Sequence, residues 1–234
     1  MLSIVIPAYN EEQRIGKSLQ RIKEYCRRSQ PACEVIVADD GSRDGTPSVV
    51  LNHAKQWKEL KLMALEHRGK GHATKMGVLA SSGEWILCSD ADLSTPVEQV
   101  ENLLAAGGQH AIVIGSRSVS GASVTQPPPF HRKVMGRVFN WIVKALAVRG
   151  FQDTQCGFKL YRRDAARDIF NRITLDGFAF DVETLYLAGK LGYRVAEVPV
   201  SWRNDERTKV KLLSDPPRMF LDVMKIRWRH GRAK

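Results

Sequence analysis

A chain of 234 residues is long enough to bury a sizeable core in one α/β domain. Its 43% hydrophobic and 26% charged residues exclude a disordered or fibrous protein. The net charge of +11 is confined: residues 131–150 carry +5 and residues 203–234 carry +6, which leaves the rest neutral and points to a local anionic partner.

No apolar run approaches the roughly 20 residues needed to span a bilayer, so a soluble or peripheral protein is expected. Cys26, Cys33, Cys88 and Cys156 show no metal-ligand spacing and fit a reducing compartment without disulfides. Met1 to Pro7 is too short and uncharged for a signal peptide and reads as a strand.

In chain order, strand signals fall at 2–7, 34–39, 61–66, 85–90, 111–115 and 195–200, with helix signals at 11–28, 46–58, 73–81 and 96–106. This βαβ rhythm predicts a mostly parallel, doubly wound sheet with helices on both faces. After Gly115 the rhythm changes to a Ser/Gly/Pro-rich connection, 116–130, and an amphipathic helix over 131–148. There is no internal repeat and no second complete core, so a single domain is expected.

Three strand ends carry polar signals. The first strand stops at Pro7-Ala8-Tyr9-Asn10-Glu11, where Asn10 can cap the following helix. The second stops at Asp39-Asp40-Gly41-Ser42, and the fourth at Asp90-Ala91-Asp92. In a parallel sheet all three lie on the edge where ligands bind. Two carboxylates two residues apart can approach one hard cation and leave room for substrate phosphates. A nucleoside diphosphate with a cation would use all three ends, with carboxylates at base or ribose and Asp92 on the metal.

Together with Lys70-Gly71, these three segments resemble family 2 glycosyltransferases, inverting sugar-nucleotide enzymes with a GT-A fold. Asp153-Thr154-Gln155-Cys156-Gly157-Phe158-Lys159 and Gly177-Phe178-Ala179-Phe180-Asp181-Val182-Glu183 resemble the dolichyl-phosphate (polyprenyl-phosphate) glucosyl- and mannosyltransferase branch. Asp92-Leu93-Ser94-Thr95 leans toward glucose. Arg227-Trp228 lacks the Gln of the Gln-x-x-Arg-Trp motif of processive synthases.

The resemblance implies that Pro7, Ala8, Tyr9, Glu11 and Asp39 surround the nucleoside, with Asp40 and Lys70 close by. It places Mg²⁺ or Mn²⁺ on Asp92, with Asp90 at the metal, the sugar or just behind it, and Ala91 between them. Lys209 would contact the diphosphate in a lid over 202–211. Arg117 and Arg132 would hold the acceptor phosphate, for which a planar guanidinium is suited. Asp153 faces the reacting centre: it is the base if the acceptor is a hydroxyl, and orients sugar or acceptor if it is a phosphate. Glu183 is either a buried site carboxylate or a cap.

The expected partners are a nucleotide sugar, UDP-glucose or GDP-mannose, a polyprenyl phosphate, and the cytoplasmic membrane face, visited peripherally. The apolar stripe Val134, Val138, Trp141, Ile142, Ala145 and Val148 and the basic segment 223–230 are read as surface-binding elements or as ordinary core stripes. A basic nucleic-acid-binding module would explain the charge but not Asp39, Asp90 and Asp92. A sugar-1-phosphate nucleotidyltransferase would carry a Gly-rich loop where Ala8-Tyr9-Asn10-Glu11 stands.

Overall fold

The computed structural model describes residues 1–28, 32–126, 136, 141, 143, 146–148, 150–204 and 215–231. The elements are β1 (Leu2–Ala8), α1 (Glu12–Arg28), β2 (Cys33–Asp39), α2 (Thr46–Ala54), β3 (Leu60–Ala64), α3 (Lys70–Ala80) and β4 (Trp85–Cys88). A 3₁₀ turn, Val97–Gln99, leads into α4 (Val100–Gly107), followed by β5 (Ile112–Ser116), β6 (Ser123–Gln126) and β7 (Lys159–Arg162). Then come α5 (Arg163–Arg172), α6 (Phe180–Lys190), β8 (Val195–Pro199), β9 (Ser201–Arg203) and α7 (Asp215–Gly231).

Seven strands form one sheet in the order β3-β2-β1-β4-β7-β5-β8. All neighbours pair in parallel except β7, which runs antiparallel between β4 and β5. β6 and β9 form a separate parallel pair. Apolar alternation along β1 feeds both faces. Ile4 and Ile6 join Ile15, Leu19 and Ile22 of α1 on one side, and Val5 joins Val78, Phe170 and Val182 on the other. All are fully buried, each contributing about 1.5–3 kcal/mol of transfer free energy.

α3 lies close against β1 because residue 77 has no side chain: a Cβ there would stand 2.5 Å from Val5 Cγ1. At the opposite end of the sheet from the strand C-termini, Glu34 accepts from Ser3 Oγ (2.6 Å), Ser82 Oγ (2.8 Å) and the Ser82 amide. Burial works against its charge, but these donors and Lys61 hold it down at about 2.

The expected strands and early helices are present, with ends shifted by at most four residues. β7 is a difference: only four residues long, it interrupts the parallel order between β4 and β5. The helix expected over 131–148 falls mostly outside the described residues, as does most of the expected lid.

Candidate active site

The C-terminal ends of β1, β2 and β4 meet as the parallel register requires. Asp40 N donates to Ala8 O (2.8 Å), joining the first two ends. Asn10, read as a helix cap, takes φ 53° and accepts from Arg43 N (2.8 Å), while its own amide donates to Ser42 Oγ (2.9 Å). The positive φ that Asn tolerates is what turns the chain here. Glu11 N donates to Thr46 Oγ1 (2.7 Å), so α1 and α2 enter from one laced loop pair.

Asp39 is buried; its Oδ2 accepts from Ser42 N (3.2 Å), and its Oδ1 has no hydrogen-bond partner. A buried carboxylate oxygen left unpaired is costly, and a nucleoside hydroxyl or N–H would satisfy it. Asp40, one residue on, is used differently. It accepts from the amides of Arg68 (2.9 Å) and Gly69 (3.0 Å) and contacts His67 Nδ1 (2.8 Å). Its carboxylate therefore shapes the turn that starts α3, and His67 is stacked on Tyr9 at 4.1 Å. Tyr9, half-buried, and the exposed His67 thus form one aromatic pair at the mouth of β1.

Past β4, Leu93 N donates to Asp90 O (3.2 Å), and Leu93 adopts φ 48°. This tight turn brings Asp90 and Asp92 together. Ala91 O, between them, accepts from Ser18 Oγ (2.7 Å) and pins the turn to α1. Lys70 Nζ lies 2.6 Å from Asp90 Oδ1. Burial favours neutral Asp90, but Lys70, and after it Lys159 and Arg117, hold the carboxyl below the usual range. Lys70 is correspondingly raised: burial opposes its charge, and Asp90 and Asp181 more than compensate. Asp92 moves the other way. Burial and the Asp90 charge raise it, against the Ser94 amide (2.8 Å) and Arg14. Arg14 also grips the Glu11 carboxylate, so Glu11 reaches Asp92 only through that arginine.

Just after β5, Arg117 forms a fork on Asp153: Nε to Oδ2 at 2.6 Å and Nη2 to Oδ1 at 2.8 Å, with the Arg117 amide also donating (3.1 Å). Burial alone would raise Asp153; Arg117 holds it below the usual carboxylate range. Glu197 fixes the same loop by accepting from the amides of Gln152 (2.8 Å) and Asp153 (2.7 Å). The Arg117 guanidinium also faces the Trp202 ring at 5.3 Å.

Of the expected site residues, Pro7, Ala8, Tyr9, Asp39, Lys70, Asp90, Ala91 and Asp92 line or support one edge, and Arg117 and Asp153 form the ion pair just described. Arg132 and Lys209 lie outside the described residues. Glu183, expected to be either a buried site carboxylate or a cap, lies at the first turn of α6. Fully buried, it accepts from Thr174 N, Thr174 Oγ1 (2.8 Å) and Leu175 N (2.9 Å) and contacts His230 Nε2 (2.7 Å), tying α6 to a loop and to α7. Three groups were not singled out from sequence: Arg14, Asp181 and the role of Lys159. Lys159 is buried, donates to Cys156 O (2.7 Å) and pairs with Asp181. A charged residue inside a strand was the available signal.

The glycosyl transferase family 2 profile matches residues 3–170. The chain belongs to glycosyl transferase family 2. A dolichyl-phosphate beta-glucosyltransferase from Dictyostelium discoideum is 37% identical over 98% of this chain and 74% of its own length. A human protein with the same description is 37% identical over 98% of this chain and 75% of its own. Among solved structures, Mycobacterium tuberculosis glucosyl-3-phosphoglycerate synthase, in complex with Mn²⁺, UDP and phosphoglyceric acid, superposes with a TM-score of 0.73 at 19% identity. That match covers 100% of this chain and 80% of the synthase. The fold of this family 2 member is the GT-A glycosyltransferase fold, and the protein is a glycosyltransferase.

Proposed function

We propose that this glycosyltransferase moves glucose from UDP-glucose to a dolichyl or related polyprenyl phosphate, with inversion, at a membrane surface. The observation that carries the reading is the Asp90–Asp92 pair beside Lys70, on the same sheet edge as the unpartnered Asp39 oxygen. The similarity to dolichyl-phosphate beta-glucosyltransferases supports the sugar and the acceptor class. We take the chain as one catalytic unit, with residues 1–116 for the nucleotide, 117–202 for the acceptor and 203–234 as lid and surface helix.

The donor set fits a divalent cation, Mg²⁺ or Mn²⁺. Asp92 is raised partly because Asp90 is ionised next to it, and a bound cation would relieve that repulsion. Asp90 and Asp92 would hold it with diphosphate oxygens, and it would supply electrostatic stabilisation to the leaving group. Asp39, Tyr9 and Pro7 would hold the nucleoside, and Lys70, paired with Asp90, would turn toward donor phosphate or sugar. A phosphate acceptor is already anionic near neutral pH. Its oxygen attacks the anomeric carbon, and the bond to UDP breaks with its electrons left on the diphosphate. No strong base is then required, and Asp153, ion-paired to Arg117 and kept ionised, serves to orient rather than to take a proton. Arg117, with Arg132, would hold the acceptor phosphate.

The test is transfer of labelled glucose from UDP-glucose, beside mannose from GDP-mannose, to dolichyl or undecaprenyl phosphate with Mg²⁺ or Mn²⁺. Label entering the organic phase from UDP-glucose, and lost in Asp92→Ala, is expected. UDP release without lipid labelling would overturn the acceptor, and transfer from GDP-mannose alone would overturn the sugar.

A further inference from the structure

Helix α7 has two apolar faces, and only one is used by the core. Val223 and Ile226 are fully buried in the cluster that includes Phe170 and Val182, with Met219 packed beside them. His230 continues that face to Glu183. On the other side Phe220, Leu221, Met224 and Trp228 are exposed; Leu221 is 57% and Trp228 65% accessible. At 3.6 residues per turn these four fall within an arc of about 100°. Four large apolar side chains in one arc facing water lose free energy that a solvent-facing helix normally avoids.

The border of this face is cationic. Lys225 and Arg229 flank it on one side and Arg227 on the other, against Asp222 as the acid among these side chains. Arg227 Nη1 donates to Leu146 O (3.2 Å), joining α7 to the segment that carries Trp141, which is 70% exposed. An apolar arc with aromatic groups and a cationic rim is complementary to a bilayer of anionic lipid: the arc enters the acyl boundary and the rim meets the headgroups. The arc is too narrow and α7 too charged to cross the membrane, and among the described residues no helix is long and apolar enough to do so.

We propose that the outer face of α7, Phe220, Leu221, Met224 and Trp228 with Lys225 and Arg229, docks this protein on an anionic bilayer. The inference deepens the lipid-phosphate reading and rests on it for its biological sense. α7 is well placed for the purpose. Its His230 contacts Glu183, and Glu183 is two residues from Asp181, which pairs with Lys159 behind the site. A helix lying on the surface is therefore one helix away from the catalytic edge.

The experiment is co-sedimentation of the full chain with vesicles of phosphatidylcholine alone or mixed with phosphatidylglycerol, with neither donor nor acceptor present. The wild type binds the mixed vesicles. The quadruple variant Phe220→Gln/Leu221→Gln/Met224→Gln/Trp228→Gln loses at least tenfold in that affinity, and Lys225→Glu/Arg229→Glu loses the preference for anionic lipid. Transfer to a short, water-soluble prenyl phosphate is unchanged in both variants, while transfer to long-chain acceptor in vesicles falls at least tenfold. Trp228→Gln alone carries the test if circular dichroism shows the quadruple variant unfolded. Wild-type vesicle affinity in the variants overturns the proposal. So does a wild-type dimer that the variants convert to monomer, since the face then belongs to a second copy. Vesicle binding through α7 without any glucosyl transfer leaves the docking face standing and removes the proposed function.

Discussion

Gly157 stands directly behind the Asp90 carboxylate: a Cβ at position 157 would lie 2.4 Å from Asp90 Oδ2 and 2.7 Å from its Oδ1. The carboxylate at the end of β4 is thus held from the front by Lys70 and from behind by bare backbone. Gly157→Ala is expected to push Asp90 off that position while leaving the apolar core untouched. A shift of about 1 Å at a reacting centre costs on the order of 100-fold in rate. Steady-state kinetics beside thermal unfolding checks this: a large loss in kcat with little change in Tm is expected, and unaltered kcat would show that Asp90 need not sit where Gly157 lets it sit.

Asp92 is expected to trade stability for function. Burial and the Asp90 charge raise its carboxyl above the usual range. A carboxyl raised in the folded state contributes fully at acid pH, and that contribution is lost as pH rises through the raised value. At neutral pH and without added metal, the ionised side chain therefore costs stability. Asp92→Asn should raise Tm by a few degrees at neutral pH, with the gain shrinking toward acid pH, while glucosyl transfer is lost. Calorimetry in the presence of a chelator at two pH values measures it; a lower Tm for Asp92→Asn at neutral pH would refute the electrostatic account.

Arg117 and Asp153 should behave as one unit. Arg117→Ala leaves a buried carboxylate without its cation, at a cost of about 2 kcal/mol, below the range for fully buried pairs because the arginine is 32% exposed. Asp153→Asn should lower kcat without changing the shape of the pH profile above about pH 5, since Asp153 titrates below the ordinary carboxylate range and is ionised throughout. An acidic limb present in wild type and absent in Asp153→Asn would instead assign proton abstraction to it.

Lys159 and Asp181 form a buried pair close enough to the site to act on Asp90 and Lys70. Lys159→Met alone should destabilise the fold by about 3–5 kcal/mol, by stranding the Asp181 charge. The double variant Lys159→Met/Asp181→Leu should recover most of that stability, and denaturant unfolding of the wild type, both single variants and the double variant gives the coupling. If stability returns but activity does not, the pair's field on Asp90 and Lys70 matters to the chemistry as well as to the fold.

Much of this architecture was legible before the coordinates. Continuous apolar runs are what strands buried on both faces require, so β1, β2 and β4 were readable, and the spacing of Ile15, Leu19 and Ile22 marked α1. Parallel strands put their C-terminal ends on one edge, which makes Asp39, Asp90 and Asp92 candidate site residues from sequence alone. β7 was not legible: four residues opening with a lysine give no strand pattern, and that lysine is tolerable only because Asp181, 22 positions away, neutralises it.

The division of labour between Asp39 and Asp40 belongs to the tertiary structure too. Adjacent in sequence, one leaves a buried carboxylate oxygen without a hydrogen-bond partner and the other is taken up by the amides of Arg68 and Gly69. The same holds for Arg117 with Asp153, for His67 on Tyr9 and for the outward arc of α7. Local sequence specifies which face of a segment is apolar and where a strand ends, because those depend on periodicity within a few residues. Which charge meets which, and which apolar face the core leaves uncovered, depends on contacts tens of residues apart that only the folded chain brings together.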